Sequence, residues 1–290
     1  DLHGVSSAAS DVYKRQGFTG VQLHSAHGYL LSEFLSPNVN QRTDEWGGSI
    51  ENRSRLLITT IEAIRDKVGS NFPISVKLNS SDFQKGGFTH EESIKVARIL
   101  NNTSLDLLEI SGGTYENFTA LEMDSFNLKK AKTIKPQRST IVREAYFLKY
   151  AEAIKDVISI PLAVTGGFRS AEGMNNALQS GACDVIGLGR PLCSEPDIVN
   201  KLISGEKKSA ILYENMLEFG PWILGLNSPI SLMRSNNKAA QVYWCYRQIL
   251  KIADGNEVDT KFGLFKAFLD HFRDDSANSK KYKAFWKDLD

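Results

Sequence analysis

Two imidazoles and a phenol lie within six residues of one another, at His24, His27 and Tyr29. They follow a short apolar stretch that alternates like a β-strand, so the cluster belongs at a strand end. Such groups can bind an oxygen atom that is gaining negative charge and can supply a proton beside it. The alternative is a pair of hydrogen-bonded structural histidines with Tyr29 in packing. A metal site is less favoured, because no third ligand follows at a zinc-like spacing, although Glu33 is near.

A second candidate is Lys77, which lies in the apolar run 74–78 and shares a strand face with Ser75 and Asn79. In a barrel that face is the interior, where an ammonium group without an anionic partner is costly. Lys77 therefore predicts an anion at this face. The alternative is a lysine whose flexible stem carries the charge out to solvent at the strand end.

Glycines follow two later strands, at Gly166-Gly167 and at Gly189, and Arg190 comes directly after the second turn. Glycine lets the backbone approach a phosphate closely and present its N–H groups. An arginine beside it can pair with the phosphate by charge and geometry. A glycine pair alone more often marks an ordinary turn, so the prediction depends on both turns together with Arg190.

The elements that must position these residues are predicted from Gly17 onward as an alternation of strands and amphipathic helices. The spacing predicts about five strands, over 20–24, 74–78, 105–111, 161–165 and 184–188. Ser49 is a predicted helix N-cap, and Thr89 with Glu92 is a predicted capping box. Parallel βαβ units follow, which fit either an open doubly wound sheet or a barrel. Polar and glycine-rich motifs follow every strand, which favours a TIM (β/α)8 barrel, incomplete here with about five of about eight units.

Three segments are predicted along the chain. Residues 1–16 lack an initiator Met, and 6–16 resemble translated sequencing adapter, so this segment is predicted to be non-native. Residues 17–205 are predicted to form the C-terminal part of the barrel. Residues 206–290 are predicted to be a helical extension, whose aromatic side chains pack on the barrel exterior or contact a partner subunit.

Composition excludes several classes of protein. The chain has 290 residues, a net charge of +1 and 24% charged residues, which gives no electrostatic case for nucleic acid or an anionic membrane surface. No apolar run is long enough to span a bilayer. Cys183, Cys193 and Cys245 are too few and too widely spaced for a disulfide framework or a zinc site, which favours the cytoplasm.

The segment HSAHGYLLSEFLSP (24–37), followed by NQRTDEWGGSIENR (40–53), resembles the signature of the Old Yellow Enzyme family of NADH:flavin oxidoreductases. Looser resemblance extends over residues 17–196. The resemblance implies an FMN-dependent ene reductase. It implies that His24 and His27 bind the carbonyl oxygen of an α,β-unsaturated substrate, and that Tyr29 donates a proton to the α-carbon.

The same resemblance implies how FMN is held. Lys77 stands where the family commonly has Arg against the N1–C2=O edge of the flavin, so it keeps the charge and loses the bidentate fork. The glycines and the arginine of the two turns would bind the FMN phosphate: Gly166, Gly167, Gly189 and Arg190. NADH or NADPH would be the hydride donor, and a small enone-type molecule the substrate.

Two alternative functions remain open. One is a flavin-free, phosphate-binding TIM-barrel enzyme acting on a sugar phosphate. Another is a non-functional truncated fragment, because a parallel barrel cannot close with about three strands absent. A multidomain reductase with an iron–sulfur domain is disfavoured, because the required four-Cys cluster is absent after Pro191. A homo-oligomer through the aromatic helices also stays open.

Overall fold

The computed structural model describes residues 2–113 and 145–287 of the chain. It divides into two compact units, Asp1–Leu188 and Gly189–Asp290. The predicted boundary between residues 205 and 206 falls inside the second unit and remains a prediction.

The first unit is built on a parallel sheet with the strand order β1-β2-β3-β4-β5. The strands are β1 Val21–Ser25, β2 Ile74–Asn79, β3 Leu107–Ser111, β4 Leu162–Thr165 and β5 Val185–Gly187. Each lies within about two residues of its predicted place, which is the usual uncertainty of strand ends. The order follows the chain without the reversal that an open doubly wound sheet needs, so the barrel topology is confirmed for the described part.

The sheet has one apolar and one polar face. Alternate residues Val76, Leu78, Leu108, Ile110 and Val164 are completely buried on the face that the helices cover. Burying each such side chain stabilises the fold by roughly 2 kcal/mol. The intervening residues of the same strands are mostly polar and lie on the opposite face, as the side-chain period of two requires. The polar residues of the candidate site are therefore all on one side of the sheet.

Two helices of the first unit, α3 and α4 in the list that follows, start at the predicted capping residues. The helices of this unit are α1 Leu2–Arg15, α2 Leu30–Leu35, α3 Ile50–Val68, α4 His90–Leu100, α5 Leu148–Lys155 and α6 Ala171–Gln179. Ser49 Oγ accepts the backbone N–H of Asn52 at the start of α3, and Gly69 ends that helix with φ +79°. Thr89 and Glu92 form the predicted capping box of α4. Helix α5 starts at Leu148 in the described part.

Helix α1 is an addition to the predicted order of elements. It packs against α3, and Lys14 Nζ donates a hydrogen bond of 2.5 Å to the carbonyl of Val68. No element is predicted before Gly17, because residues 1–16 are predicted to be non-native. Whether residues 1–16 are native remains a prediction.

The second unit is helical, as predicted, but only in part of the predicted range. Its helices are α7 Arg190–Ser194, α8 Ile198–Ile203, α9 Ser231–Ala253 and α10 Leu264–Lys287. Residues 210–230 are not α-helical and contain two short 3-10 turns, Tyr213–Asn215 and Trp222–Leu224. Trp244 is buried in a small core of its own with Ala240, Leu264 and Ala267. Among the helices of the described residues, none is both long enough and apolar enough to cross a membrane.

Candidate active site

The His24, His27 and Tyr29 side chains come together at the C-terminal end of β1. The ring centroids of His24 and His27 are 5.1 Å apart, and those of His24 and Tyr29 are 4.8 Å apart. His27 has φ +62° and Gly28 has φ +82°, so a left-handed turn folds the chain back toward the strand. Left-handed backbone at a residue other than glycine is uncommon and costs energy. The turn is what brings Tyr29, at the start of α2, beside His24.

His27 is held by residues from two neighbouring strands. Its Nε2 atom is 2.8 Å from Ser111 Oγ, at the end of β3. Its backbone N–H donates to Asn79 Oδ1 at 3.2 Å, and Asn79 Nδ2 donates in turn to the carbonyl of Gly113 at 2.9 Å. The ends of β1, β2 and β3 are therefore joined around one imidazole.

Both imidazoles have a lowered pKa. Loss of solvent around the rings is the main cause, although it is only partial at His24, which is exposed on the sheet face. The nearby charge of Lys77 is the next cause, while Glu109 opposes the shift. The pKa of His27 is lowered to about 4. Both rings are therefore neutral near pH 7, and each has one N–H donor and one acceptor nitrogen. A neutral donor pair can bind an oxygen atom without adding fixed positive charge.

The anion that Lys77 was predicted to need is supplied by the chain itself. Lys77 Nζ lies 2.8 Å from Glu109 Oε1, and the two side chains are 21% and 13% exposed. This corrects the expectation that a bound anion is required to balance Lys77. The alternative of a lysine extending into solvent does not describe it either. The predicted contact between Lys77 and a flavin remains a prediction.

Glu109 is a charged residue of the candidate site that was not predicted from the sequence. A signal was present, because Glu109 interrupts the apolar run at 105–110 and shares a strand face with Leu107 and Ser111. A carboxylate at an inward strand position next to a strand carrying an inward lysine predicts an ion pair. Finding the pair required the register of β2 and β3, which places Glu109 directly opposite Lys77.

The glycine turn after β4 has the geometry predicted for a close backbone approach. Gly166 and Gly167 have φ values of +135° and +84°, which residues with side chains rarely adopt. Beside the turn, a Cβ atom at Gly187 would lie 1.8 Å from Thr165 Oγ1, so β5 can approach β4 only with glycine there. The turn can therefore present backbone N–H groups to a ligand, as a phosphate site requires.

Gly189 and Arg190 belong to the second unit. A Cβ atom added at Gly189 would meet no atom within 4 Å, so packing does not explain the glycine. Arg190 NH1 lies 3.3 Å from Glu214 Oε1, which gives the guanidinium a carboxylate partner within its own unit. Their predicted role with Gly166 and Gly167 at one phosphate remains a prediction.

Other candidate groups are less informative. Within the described part of the chain, no cluster of three or more His, Cys, Asp or Glu side chains is placed to bind a metal ion. Cys183 is buried, and burial raises its pKa to about 11. Cys193 differs, because a hydrogen bond with the Cys245 thiol lowers its pKa to about 7.

The family model of the NADH:flavin oxidoreductase / NADH oxidase family matches residues 6–209. The chain belongs to this family. The resemblance to Old Yellow Enzymes is thereby confirmed. Members of the family bind FMN and use NADH or NADPH as hydride donor.

Several relatives of the NADH:flavin oxidoreductase family are similar over the same region. The NADH-dependent flavin oxidoreductase nadA of Aspergillus parasiticus is 39% identical over 205 residues, which are 70% of this chain and 43% of nadA. The NADH oxidase of Thermoanaerobacter brockii is 33% identical over 190 residues, which are 66% of this chain and 27% of the relative. The chain thus spans less than half the length of these curated relatives.

Solved structures support the fold of this family. A 2-naphthoyl-CoA reductase complex matches with a TM-score of 0.60 and 29% identity, over 70% of this chain and 29% of that one. The Old Yellow Enzyme homologue from Zymomonas mobilis matches with a TM-score of 0.54 and 24% identity, over 73% of this chain and 54% of that one. The latter likeness shows the fold alone, an incomplete TIM barrel in this chain.

The described residues fit a flavin nucleotide in two respects. The glycine turn after β4 has backbone that only glycine adopts readily, as a phosphate cradle needs. The polar sheet face carries a cation, Lys77, whose carboxylate partner leaves it partly exposed. Both features suit a cofactor that has an anionic phosphate and an edge that becomes negative on reduction.

Proposed function

We propose that this chain carries the substrate-binding side of an ene reductase, which transfers hydride from NAD(P)H through FMN to the C=C bond of an α,β-unsaturated carbonyl compound. The observation that carries the proposal is the cluster of two neutral imidazoles and one phenol at the end of β1. FMN, when bound, supplies the hydride chemistry. The protein contributes binding, orientation and proton transfer.

Each residue of the cluster has a separate role in the proposal. His24 and His27 donate hydrogen bonds to the substrate carbonyl oxygen and stabilise the negative charge that develops there. Ser111 and Asn79 hold His27 in place through the bonds described above. Tyr29, whose side chain is 45% exposed, donates its proton to the α-carbon.

The cofactor is proposed to be held by two sets of residues. Lys77 would hold the N1–C2=O edge of the flavin, which becomes negative on reduction. The FMN phosphate would be bound by the backbone of the turn after β4, at Gly166 and Gly167. The conformation of Gly166 and Gly167 supports this assignment.

The enone substrate class is supported by one named relative. The cinnamate reductase of Clostridium sporogenes is 31% identical over 209 residues, and its name describes reduction of an unsaturated acid. The N,N-dimethylglycine/sarcosine dehydrogenase of Chromohalobacter salexigens is 27% identical over 190 residues and oxidises amines by its name. Because the family holds both reactions, the proposal depends on the site residues.

The test of the proposal separates the two half-reactions by stopped-flow spectroscopy of FMN-loaded protein. Tyr29→Phe should slow reoxidation of the flavin by an enone about 10²-fold or more, the usual contribution of a general acid. Reduction by NAD(P)H should stay within about twofold, because it needs no proton from Tyr29. Tyr246→Phe removes a similarly exposed hydroxyl in the second unit and is the matched control.

Two results would contradict the proposal. Equal slowing of both half-reactions in Tyr29→Phe would remove the proton-donor role. Protein that stays colourless after incubation with FMN would favour the flavin-free, phosphate-binding alternative. A complementary measurement is binding of a phenol that forms a charge-transfer band with the flavin, which should weaken when His24 and His27 are both replaced by Ala.

A further inference from the structure

The carboxylate of Glu109 lies on the polar face of the sheet. The parallel register of β2 and β3 places Glu109 directly beside Lys77, and the register of β1 and β2 places Lys77 beside His24. Glu109 Oε1 and Lys77 Nζ are 2.8 Å apart. One negative charge therefore stands in a row with the cation and the imidazole of the proposed site.

Donors from three different strands converge on this carboxylate. Lys77 comes from β2, Gln22 Nε2 from β1 donates to Oε2 at 2.8 Å, and the Thr165 hydroxyl from β4 also hydrogen-bonds to it. Burial raises the pKa of Glu109, but the hydrogen bonds from Lys77, Thr165 and Gln22 outweigh it and lower the pKa overall. The carboxylate is therefore ionised at neutral pH.

Stability alone is a weak reason for this arrangement. Removing two charges from water costs free energy that their attraction often only balances, so an apolar pair of similar volume would stabilise the sheet as well. A pair held by hydrogen bonds from three strands has a defined position, however. Such a pair can set the local electrostatic field with little rearrangement.

We infer that Glu109 is a positioning residue for the flavin site, which fixes Lys77 on the sheet face and offsets its positive charge. The inference rests on the proposed function, in which Lys77 lies toward the flavin edge that becomes anionic. With Glu109 present, the reduced flavin gains less from Lys77 than it would from a lone cation. Glu109 therefore holds the flavin at a lower reduction potential and makes it a stronger hydride donor.

The same field acts on the imidazoles. Lys77 lowers the pKa of His24 and of His27, and Glu109 opposes this effect at both rings. In Glu109→Gln, the positive charge of Lys77 acts on both rings without the opposing charge of Glu109. The pKa of His24 should then fall further. This response does not need a flavin, and it gives a second measurement of what Glu109 does.

The experiment compares the flavin midpoint potential of the wild type with that of Glu109→Gln in FMN-loaded protein. In the variant, the affinity for reduced flavin divided by the affinity for oxidised flavin should rise at least about tenfold. This rise is a positive shift of about 30 mV in the midpoint potential for two electrons. The pKa of His24 is measured by NMR in the flavin-free protein and should fall.

Asp106→Asn is the matched control. Asp106 lies just before β3 and is paired with Arg65 at 2.5 Å, so the variant also loses a carboxylate from an ion pair in this region. Because Asp106 is not among the charges that act on the imidazoles, the potential and the His24 pKa should not change. If Glu109→Gln does not fold, Glu109→Asp lengthens the contact with Lys77 and should shift the potential in the same direction by less.

The outcomes separate this inference from the proposed function. An unchanged midpoint potential in the Glu109 variant that folds overturns the inference and leaves the proposed function standing. A wild type that binds no FMN overturns the proposed function, and the inference with it. A positive shift in potential that the Asp106 variant does not share supports the positioning role.

Discussion

At the scale of single residues, the His27 imidazole has the most unusual environment of the site. The backbone of His27 has a positive φ. Its imidazole contacts the hydroxyl of Ser111 and lies near both Lys77 and Glu109. Burial and Lys77 together keep it neutral, since they lower its pKa to about 4. The ring therefore takes up a proton only when the pH falls well below the ordinary pKa of histidine. This difference in pKa affects the stability of the fold.

Acid should destabilise the fold through His27. Its pKa is about 4 in the folded protein, whereas the unfolded chain has the ordinary histidine value of 6.5. Between these values the unfolded chain binds the proton more readily, so the free energy of unfolding should decrease as the pH falls from about 6.5 toward 4. Urea unfolding at pH 7 and pH 5 measures this decrease in the free energy of unfolding. His27→Asn should lose less stability over that interval, and the same loss in both would contradict the prediction.

Two glycines of the site should respond differently to alanine. Gly187→Ala places a Cβ atom 1.8 Å from Thr165 Oγ1, which should destabilise the fold by about 1–3 kcal/mol through overpacking. In Gly189→Ala the added Cβ atom meets no atom within 4 Å, and φ is negative at −112°. The free energy of unfolding should therefore stay close to that of the wild type. Urea unfolding compares the two variants.

FMN binding gives the complementary readout for the second glycine. If the Gly189 backbone approaches a phosphate, the added methyl group should weaken FMN binding while stability stays near the wild type. Fluorescence titration of FMN measures the affinity. Unchanged affinity in Gly189→Ala would assign this glycine no part in the phosphate site.

At the scale of elements, α2, α3 and α4 are joined by one buried guanidinium. Arg53 of α3 donates to the carbonyl of Leu35 at the end of α2, and it forms an ion pair with Glu92 of α4. Glu92 also completes the capping box with Thr89. One carboxylate thus satisfies a helix N-terminus and a cation whose side chain is only 5% exposed.

Loss of Glu92 should be costly for this reason. Glu92→Ala leaves the charge of Arg53 buried without its carboxylate, which should lower the free energy of unfolding by about 3 kcal/mol. Glu91→Ala removes the neighbouring, exposed acid of the same first turn and should stay close to the wild type. Chemical unfolding monitored by circular dichroism compares the two. Equal effects would show that the ion pair with Arg53 contributes nothing beyond the helix dipole.

At the scale of the whole molecule, the sheet of the described residues is open. β1 pairs only with β2 and β5 only with β4, so each edge strand has one unpaired side. The polar face is correspondingly accessible, and His24 and Gln22 are exposed although they lie in a strand. A closed barrel of about eight strands would surround that face.

An open face should bind FMN less tightly than a closed one. The 290-residue chain is expected to bind FMN at least about tenfold more weakly than nadA, since each ~1.4 kcal/mol of lost contact is a factor of ten. Quenching of FMN fluorescence by the two purified proteins measures the ratio. Equal affinities would mean that the five-strand sheet by itself holds the cofactor.

The sequence by itself determined the order of the five strands, the caps at Ser49 and Thr89, and the grouping of His24, His27 and Tyr29. These features are local, because periodicity and capping depend on residues within one or two turns of each other. Family membership follows from the same local motif. The interpretation of Lys77 was correct in requiring an anion, which the chain supplies as Glu109, and the contact of Lys77 with a flavin stays a prediction.

Only the tertiary structure decided which distant residues meet. The contact between His27 and Ser111 joins residues 84 positions apart, and the pairing of Lys77 with Glu109 depends on the register of two strands. A shift of one residue in that register would turn Glu109 to the apolar face. Side-chain type shows that a charge needs a partner, but the partner's identity is set by how the strands align.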